Sequence, residues 1–450
     1  MTRPRPIGSL PTPLAERLAK GKARRRRAPR EALASFAVRP RPDLVARLRQ
    51  AVAGRRAALL PIRWGRMAAS PFAFMRGAAD LMAGDVGARR TAGLAVQACG
   101  DAHLLNLGAY AAPDGHLVFD LNDFDETCRG PFEWDLWRLA ASIVVGARTA
   151  GLRDAAAQEA VRDMAQAYRR ALAEFAELPV LELSRHEVTP SLAGRRLAPI
   201  FQAAARNSPA QLLLRHTVPV RGGFARFRSA PPLLVPVAPA QARRVLGALR
   251  AYRDTLGPGR QQVLDRYRPH DVAFKVVGTG SVGVEVHVVL LYGTGPGDPL
   301  FLQVKEEDAP CWRPWLDGPA RAATGAHQGR RTAEGQLRTQ TVADPFLGWT
   351  RLGAHDCLVR QWSDHKASVD VGLLAERRAL AELAPLCGAV LAKAHARTGD
   401  AGQLAGYCGQ GATLDRALAR FALAYADQTE ADHAGLRRAI RTGLLEARLA

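Results

Sequence analysis

Residues 99–135 set a dense group of polar side chains between apolar, strand-like runs. The segment reads Cys-Gly-Asp-Ala-His-Leu-Leu-Asn, then Leu-Val-Phe-Asp-Leu-Asn-Asp-Phe-Asp-Glu, then Gly-Pro-Phe-Glu-Trp-Asp-Leu. It concentrates Asp101, His103, Asn106, Asp120, Asn122, Asp123, Asp125 and Asp135 in a chain whose formal net charge is +21. Leu94–Cys99 is a short apolar strand, and His116–Asn122 is a second after the Pro113-Asp114-Gly115 turn. The loop Gly100–Gly108 between them is therefore held on both sides, as functional loops commonly are. Acidic and amide oxygens gathered in this way suit a hard divalent cation such as Mg²⁺, which shares its ligands with phosphates.

At 450 residues the chain is long enough for two or three domains or lobes. Its apolar share of 48% and charged share of 23% are those of a globular protein. No run reaches the roughly 18–20 uninterrupted apolar residues of a membrane span, and the first residues lack a secretory core. Six cysteines are scattered without a CxxC pair, which fits a reducing cytoplasm rather than a zinc site or disulfide framework. Of the 63 basic residues only six are lysine (20, 22, 275, 305, 366 and 393). Such an arginine-rich surface can bind polyanions without specificity. Residues 1–42, rich in Pro and Arg, read as a flexible basic leader.

Four regions follow from the patterning. After the leader, residues 43–256 read as a mainly helical lobe carrying the acidic loop. Helices are expected over 43–60 and 73–84, separated by Pro61 and Pro71, and over Glu133–Ala150, Leu152–Leu178 and Ala240–Leu256. Residues 180–239 read as irregular, with a position that suits shaping an acceptor pocket. Residues 257–370 read as a β-rich lobe, with strands at Val272–Val277, Val284–Tyr292, Pro299–Lys305 and Cys357–Trp362. Residues 371–450 supply helices over Leu373–Arg397 and about Leu414–Leu449.

Gly278-Thr-Gly-Ser-Val-Gly283 is a GxGxxG that runs from strand into strand. A dinucleotide-binding version runs into a helix instead. The strand-to-strand context is that of a glycine-rich hairpin over nucleotide phosphates, with Gly278, Gly280, Ser281 and Gly283 as the phosphate-facing residues. Glu285 stands where the kinase pattern has Val. The next strand ends in Lys305, a scarce residue here, at the position of a third-strand lysine that pairs with the α- and β-phosphates. Glu334 is the candidate acidic partner from a following helix.

Gly100-Asp101-Ala-His103-Leu-Leu-Asn106 resembles the Gly-Asp-x-His-x-x-Asn loop of aminoglycoside phosphotransferases and choline-kinase-like enzymes. The resemblance implies an acceptor-orienting or deprotonating Asp101 and a Mg²⁺-binding Asn106. Asp123 would be the second metal ligand, matching the Asp of the family's Asp-Phe-Gly-type motif, and Asp120 is the competing choice. Gly130-Pro-Phe-Glu-Trp-Asp135-Leu, which resembles the downstream segment that supports the catalytic loop, favours Asp123. Cys99 stands where the family has His. Over nearly its whole length the chain also resembles a bacterial family catalogued as domain of unknown function 2252. The carrying stretches are Ser-Pro-Phe-Ala-Phe-Met-Arg76-Gly77, Val-Gly-Thr-Gly-Ser-Val-Gly283, Leu-Gln-Val-Lys305-Glu-Glu and Leu-Ala-Lys-Ala-His395-Ala-Arg-Thr-Gly-Asp400.

The motif order is reversed, because the catalytic-type loop precedes the glycine loop. The implied fold is α+β, a protein kinase-like two-lobed architecture that is circularly permuted, with the break just after Leu373–Arg397. Permutation is tolerated where the original chain ends lie close together. The implied activity is Mg-ATP-dependent phosphotransfer, using ATP or another nucleoside triphosphate, to the hydroxyl of a small-molecule or protein acceptor. The alternatives are a catalytically silent nucleotide-binding regulator and a basic polyanion-binding protein. A metallophosphoesterase would need an upstream Asp-x-His and a downstream Gly-Asn-His set, and the sequence has neither. Arg76 is either a phosphate contact or a helix-end arginine, while His103 and His395 read as bracing groups.

Overall fold

A computed structural model describes residues 10–362, 365–375 and 377–448, so Asp364, left without a role by the sequence, lies outside it. The fold is mixed α+β, with about 54% helix and several antiparallel sheets.

Helix α1 (Leu14–Ala23) opens the described chain, and two 3₁₀ turns carry it to Ala34. Here the flexible-leader expectation fails for residues 14–34. Arg25 donates to the carbonyls of Tyr407 (2.9 Å) and Gly406 (2.6 Å), and Arg30 to that of Cys408 (2.7 Å). Basic side chains that read as a solvated run are instead spent on the carbonyls of a distant helix end. Helices α2 (Leu60–Ala68) and α3 (Pro71–Arg76) follow. Pro61 and Pro71 do not separate helices but start them, since proline's fixed φ and missing N–H suit a first turn. Ser70 caps α3 by accepting from the Ala73 N–H at 3.0 Å.

Strand β1 (Ala95–Ala98) pairs with β4 (Cys128–Pro131), and β2 (Leu107–Ala111) pairs with β3 (Leu117–Leu121). The acidic loops hang between these two small antiparallel pairs. Long helices α4 (Phe132–Thr149) and α5 (Asp154–Glu177) come next. Region 180–239 is more ordered than its composition suggests, with four short helices and the edge strand β5 (Leu234–Pro236). Pro209 again starts a helix behind a capping Ser208.

The main sheet is built from β5, β6 (Arg268–Lys275), β7 (Val286–Tyr292), β8 (Pro299–Glu306), β9 (Gly348–Leu352) and β10 (His355–Gln361), in the order β9-β10-β8-β7-β6-β5. All of its pairs are antiparallel. Helix α6 (Gln328–Thr339) lies between β8 and β9 in sequence and packs on β9 and β10. Alternation along the strands buries residues on both faces, one under the helix Pro239–Arg253 and one under Leu212 and Phe227.

Helices α7 (Arg377–Thr398), α8 (Ala401–Cys408) and α9 (Thr413–Arg441) close the chain's largest core against α4 and α5. The last of these stops at Arg441, short of the expected 449. By length and composition α7 could cross a membrane, but 72% of its apolar window is buried inside the fold. All six cysteines are unpaired.

Candidate functional site

The catalytic-type loop is held from beneath by one carboxylate. Asp135, fully buried at the start of α4, accepts the N–H groups of Cys99 (2.7 Å) and Gly100 (2.8 Å). His395 of α7 reaches the same carboxylate at 3.1 Å, and its other ring nitrogen meets the Tyr168 hydroxyl at 2.8 Å. Gly100 has φ +82°, and a Cβ there would overlap the Glu126 carbonyl, so glycine is required. The loop's other residues are tied just as closely. Asp101 Oδ1 accepts from the Arg138 guanidinium at 2.6 Å, and Asn106 Nδ2 donates to the Asp101 carbonyl at 2.7 Å. Burial drives the His103 pKa down to about 3, so it sits neutral; its Nε2 is 3.7 Å from Asp101 Oδ2 and its buried Nδ1 has no partner among the described residues, so the side chain does not make the bracing hydrogen bond expected of it.

A cavity of about 410 Å³ opens above this loop. Its walls include Asp101, Asn106, Asp123 and Asp125 from the acidic segment, Gly278, Gly280 and Ser281 from the glycine loop, and Lys305 from β8. Residues some 200 positions apart therefore face one space. Gly283 sits beside it with φ +100°, against Arg55. The cavity counts eight carboxylates against four basic side chains among its walls. No residue of 180–239 lines it, so that region does not shape this space.

Lys305 is buried and pairs with Asp125, and stands 3.3 Å from Glu307. The sequence-predicted partner Glu334 is elsewhere. It lies on the outer face of α6, bonded to Arg330 (2.6 Å) and Arg338 (2.8 Å) one turn away on either side. The strand period explains the correction, because residues 305 and 307 share a face while 306 points away. One ammonium does not hold two carboxylates equally. Despite burial, Lys305 keeps Asp125 well below the usual carboxylate range, whereas burial and Asp125 push Glu307 up to about 8. The Thr332 hydroxyl of α6 bonds Glu307 at 3.2 Å.

Asp120 is not at the cavity. It is buried and paired with Lys393 of α7, so the competing metal-ligand assignment falls away. Asp123 stays at the cavity wall, with Oδ1 buried and without a partner among the described residues, as is Asp125 Oδ1. Burial, then the neighbouring Asp125, raises the Asp123 pKa. No three His, Cys, Asp or Glu side chains form a ready metal cage among the described residues. Orphaned oxygens of two neighbouring carboxylates beside an amide do, however, match the donor set of Mg²⁺, which is held by one or two carboxylates and completed by phosphates and water.

Sequence reasoning missed three arginines. Arg63 of α2, fully buried, donates to the carbonyls of Thr279 (3.0 Å) and Gly77 (2.8 Å) and to Gly280. Arg55 bonds Gly280 and Arg66 bonds Gly278. The glycine loop is thus fastened through its carbonyls, a role that no local pattern announces. Ser281 also bonds Asp125 at 3.1 Å. Arg331 of α6 binds the other side of the acidic loop, at the carbonyls of Asp125 and Thr127, both at 2.7 Å.

A polar chamber of about 220 Å³ adjoins the first. Its Gln303 is two residues from Lys305 on the same strand face, and its Asn122 precedes Asp123, so the two spaces are lined by neighbouring residues. Lys366 lines this chamber and donates to the Asn122 carbonyl at 2.8 Å. Burial and Arg360 lower its pKa to about 7.

The fold and cleft describe an α+β protein whose acidic and glycine loops share one cavity. The chain belongs to the family described as an uncharacterized protein conserved in bacteria, DUF2252, which it matches over residues 55–439. No curated protein and no solved structure matches it.

Proposed function

We propose that this protein is a Mg-ATP-dependent phosphotransferase with a circularly permuted, kinase-like two-lobed fold. The observation that carries the reading is the convergence of Asp101, Asn106, Asp123, the glycine loop and Lys305 on one cavity. The arrangement of elements supports it further. The glycine loop joins the first two long strands of the sheet, Lys305 stands on the third, and α6 follows before the fourth. The permutation is supported by α7, whose His395 braces Asp135 directly beneath the catalytic-type loop although it follows the loop by nearly 300 residues.

In this reading Lys305 binds the α- and β-phosphates once it exchanges Asp125 for them. The glycine loop, fixed by Arg55, Arg63 and Arg66, covers the polyphosphate. Asn106, Asp123 and Asp125 would hold Mg²⁺, which would neutralise phosphate charge when bound. Without cations, the carboxylate-rich walls would repel a nucleotide. The same excess makes this cavity a poor site for a bare polyanion. Arg138 aims the Asp101 carboxylate at the acceptor. The acceptor oxygen attacks the γ-phosphorus, the bond from that phosphorus to the β,γ-bridging oxygen breaks, and its electron pair leaves with ADP. The hydroxyl proton passes to Asp101.

Calorimetric titration with ATP, with and without Mg²⁺, tests this reading. Wild type should bind only with Mg²⁺, and Asp123→Asn and Lys305→Ala should each weaken binding at least tenfold. A folded wild type that binds no nucleotide in the presence of Mg²⁺ would refute it.

A further inference from the structure

Arg76 has a charge and no partner. It ends α3, lines the 410 Å³ cavity, and makes no hydrogen bond or ion pair among the described residues. Its Nε is buried. The charged groups acting on it most favourably are Asp101 and Asp123, yet neither carboxylate reaches it. Asp123 Oδ1 is equally unsatisfied. A half-buried cation and a half-buried anion, each with one shielded atom left unpaired, face one void without closing on each other and leave room for a group that answers both. That group must present negative oxygens to the guanidinium and a cation to the carboxylate. A metal-bound phosphoryl group has this character.

The backbone locks this position in place. The Arg76 carbonyl lies 3.5 Å from where a Cβ on Gly280 would stand. Arg63 joins the Gly77 carbonyl to those of Thr279 and Gly280, so Arg76 is bolted to the tip of the glycine loop, and Asp101 lines the same cavity. The terminal phosphate of a nucleotide, rather than its inner ones, belongs between the loop tip and the acceptor-facing aspartate.

Resting on the phosphotransferase reading, we infer that Arg76 is a built-in arginine clamp for the γ-phosphoryl group, supplied by the helical wall rather than by the sheet. A planar guanidinium can take two phosphoryl oxygens at once, which lysine cannot. It distinguishes a nucleoside triphosphate from a diphosphate, and it neutralises the group as it transfers.

Calorimetric titration of the full chain with Mg²⁺ and either AMP-PNP or ADP tests this, on wild type, Arg76→Ala and Arg76→Lys. Wild type should prefer the triphosphate analogue. Arg76→Ala should lose that preference through a roughly 10–100-fold weakening toward AMP-PNP, with ADP affinity within about twofold of wild type. Arg76→Lys should fall between them. A preference that survives in Arg76→Ala would overturn the inference alone. Parallel loss of ADP binding in that variant would also overturn it, marking a structural role. Wild type that binds neither nucleotide would overturn the phosphotransferase reading as well.

Discussion

Replacing Asp135 with Asn should loosen the catalytic-type loop without touching any group that faces the cavity. The carboxylate is fully buried and accepts the N–H groups of Cys99 at 2.7 Å and Gly100 at 2.8 Å, with His395 at 3.1 Å. Asparagine keeps one accepting oxygen and sets an NH₂ against the second N–H. One charge-assisted bond is lost, at about 1.5–3 kcal/mol, and one buried N–H is left unsatisfied, at about 1–3 kcal/mol. The substitution should therefore cost roughly 3–5 kcal/mol. Two readouts check it. Urea unfolding followed by tryptophan fluorescence reports the loss near the site, because Trp312 donates to the Gly100 carbonyl at 2.6 Å and stacks on Trp134 with ring centroids 4.4 Å apart. Hydrogen exchange of the 99–106 segment should accelerate. An unfolding free energy within about 1 kcal/mol of wild type, with exchange unchanged, would refute the claim that this carboxylate fixes the loop.

Two further predictions concern buried charge. Lys393→Met strands Asp120 in the core and should cost about 3–5 kcal/mol, most of it recovered in a Lys393→Met/Asp120→Leu double variant; a single variant that unfolds like wild type would sink the structural assignment of this pair. Glu307 has its pKa pushed up to about 8 by burial and Asp125. The folded chain then keeps a proton that the unfolded chain releases near its ordinary 4.5, so this contribution to stability is present at low pH and fades as pH rises from 4.5 to 8. Glu307→Gln should flatten that decline in unfolding free energies from urea titrations across the window, and parallel profiles for the two proteins would contradict it.

The parts of this molecule that could be read from its sequence are those set by short-range pattern. The β6–β8 meander follows from alternation and from the turns at 278–283 and 293–299, and Asp101, Asn106 and Asp123 carry spacing that a loop between strands imposes. What escaped was tertiary. Lys305 finds Asp125, 180 positions away, and Asp120 finds Lys393 at a separation of 273. No periodicity encodes such pairs. Arg63 looked like one arginine among many, and only burial against the glycine-loop carbonyls distinguishes it. Pro61 and Pro71 were misread for a different reason. Proline both ends and starts helices, and the choice depends on the residues after it packing against a core.

The contacts of Arg25 and Arg30 with residues 406–408 have a consequence in time. They close a loop of some 380 residues, worth about 5 kcal/mol of chain entropy by the logarithmic scaling of loop closure. Helix α1 emerges from the ribosome first of the described elements but has no berth until α8 has been made. At about 5–20 residues per second, that wait lasts roughly 20–80 s. Throughout it, Leu14 and Leu18 of the helix and the part of the core they pack against are both without their mates. During synthesis this protein is an open book whose first page can be shut only by one of its last.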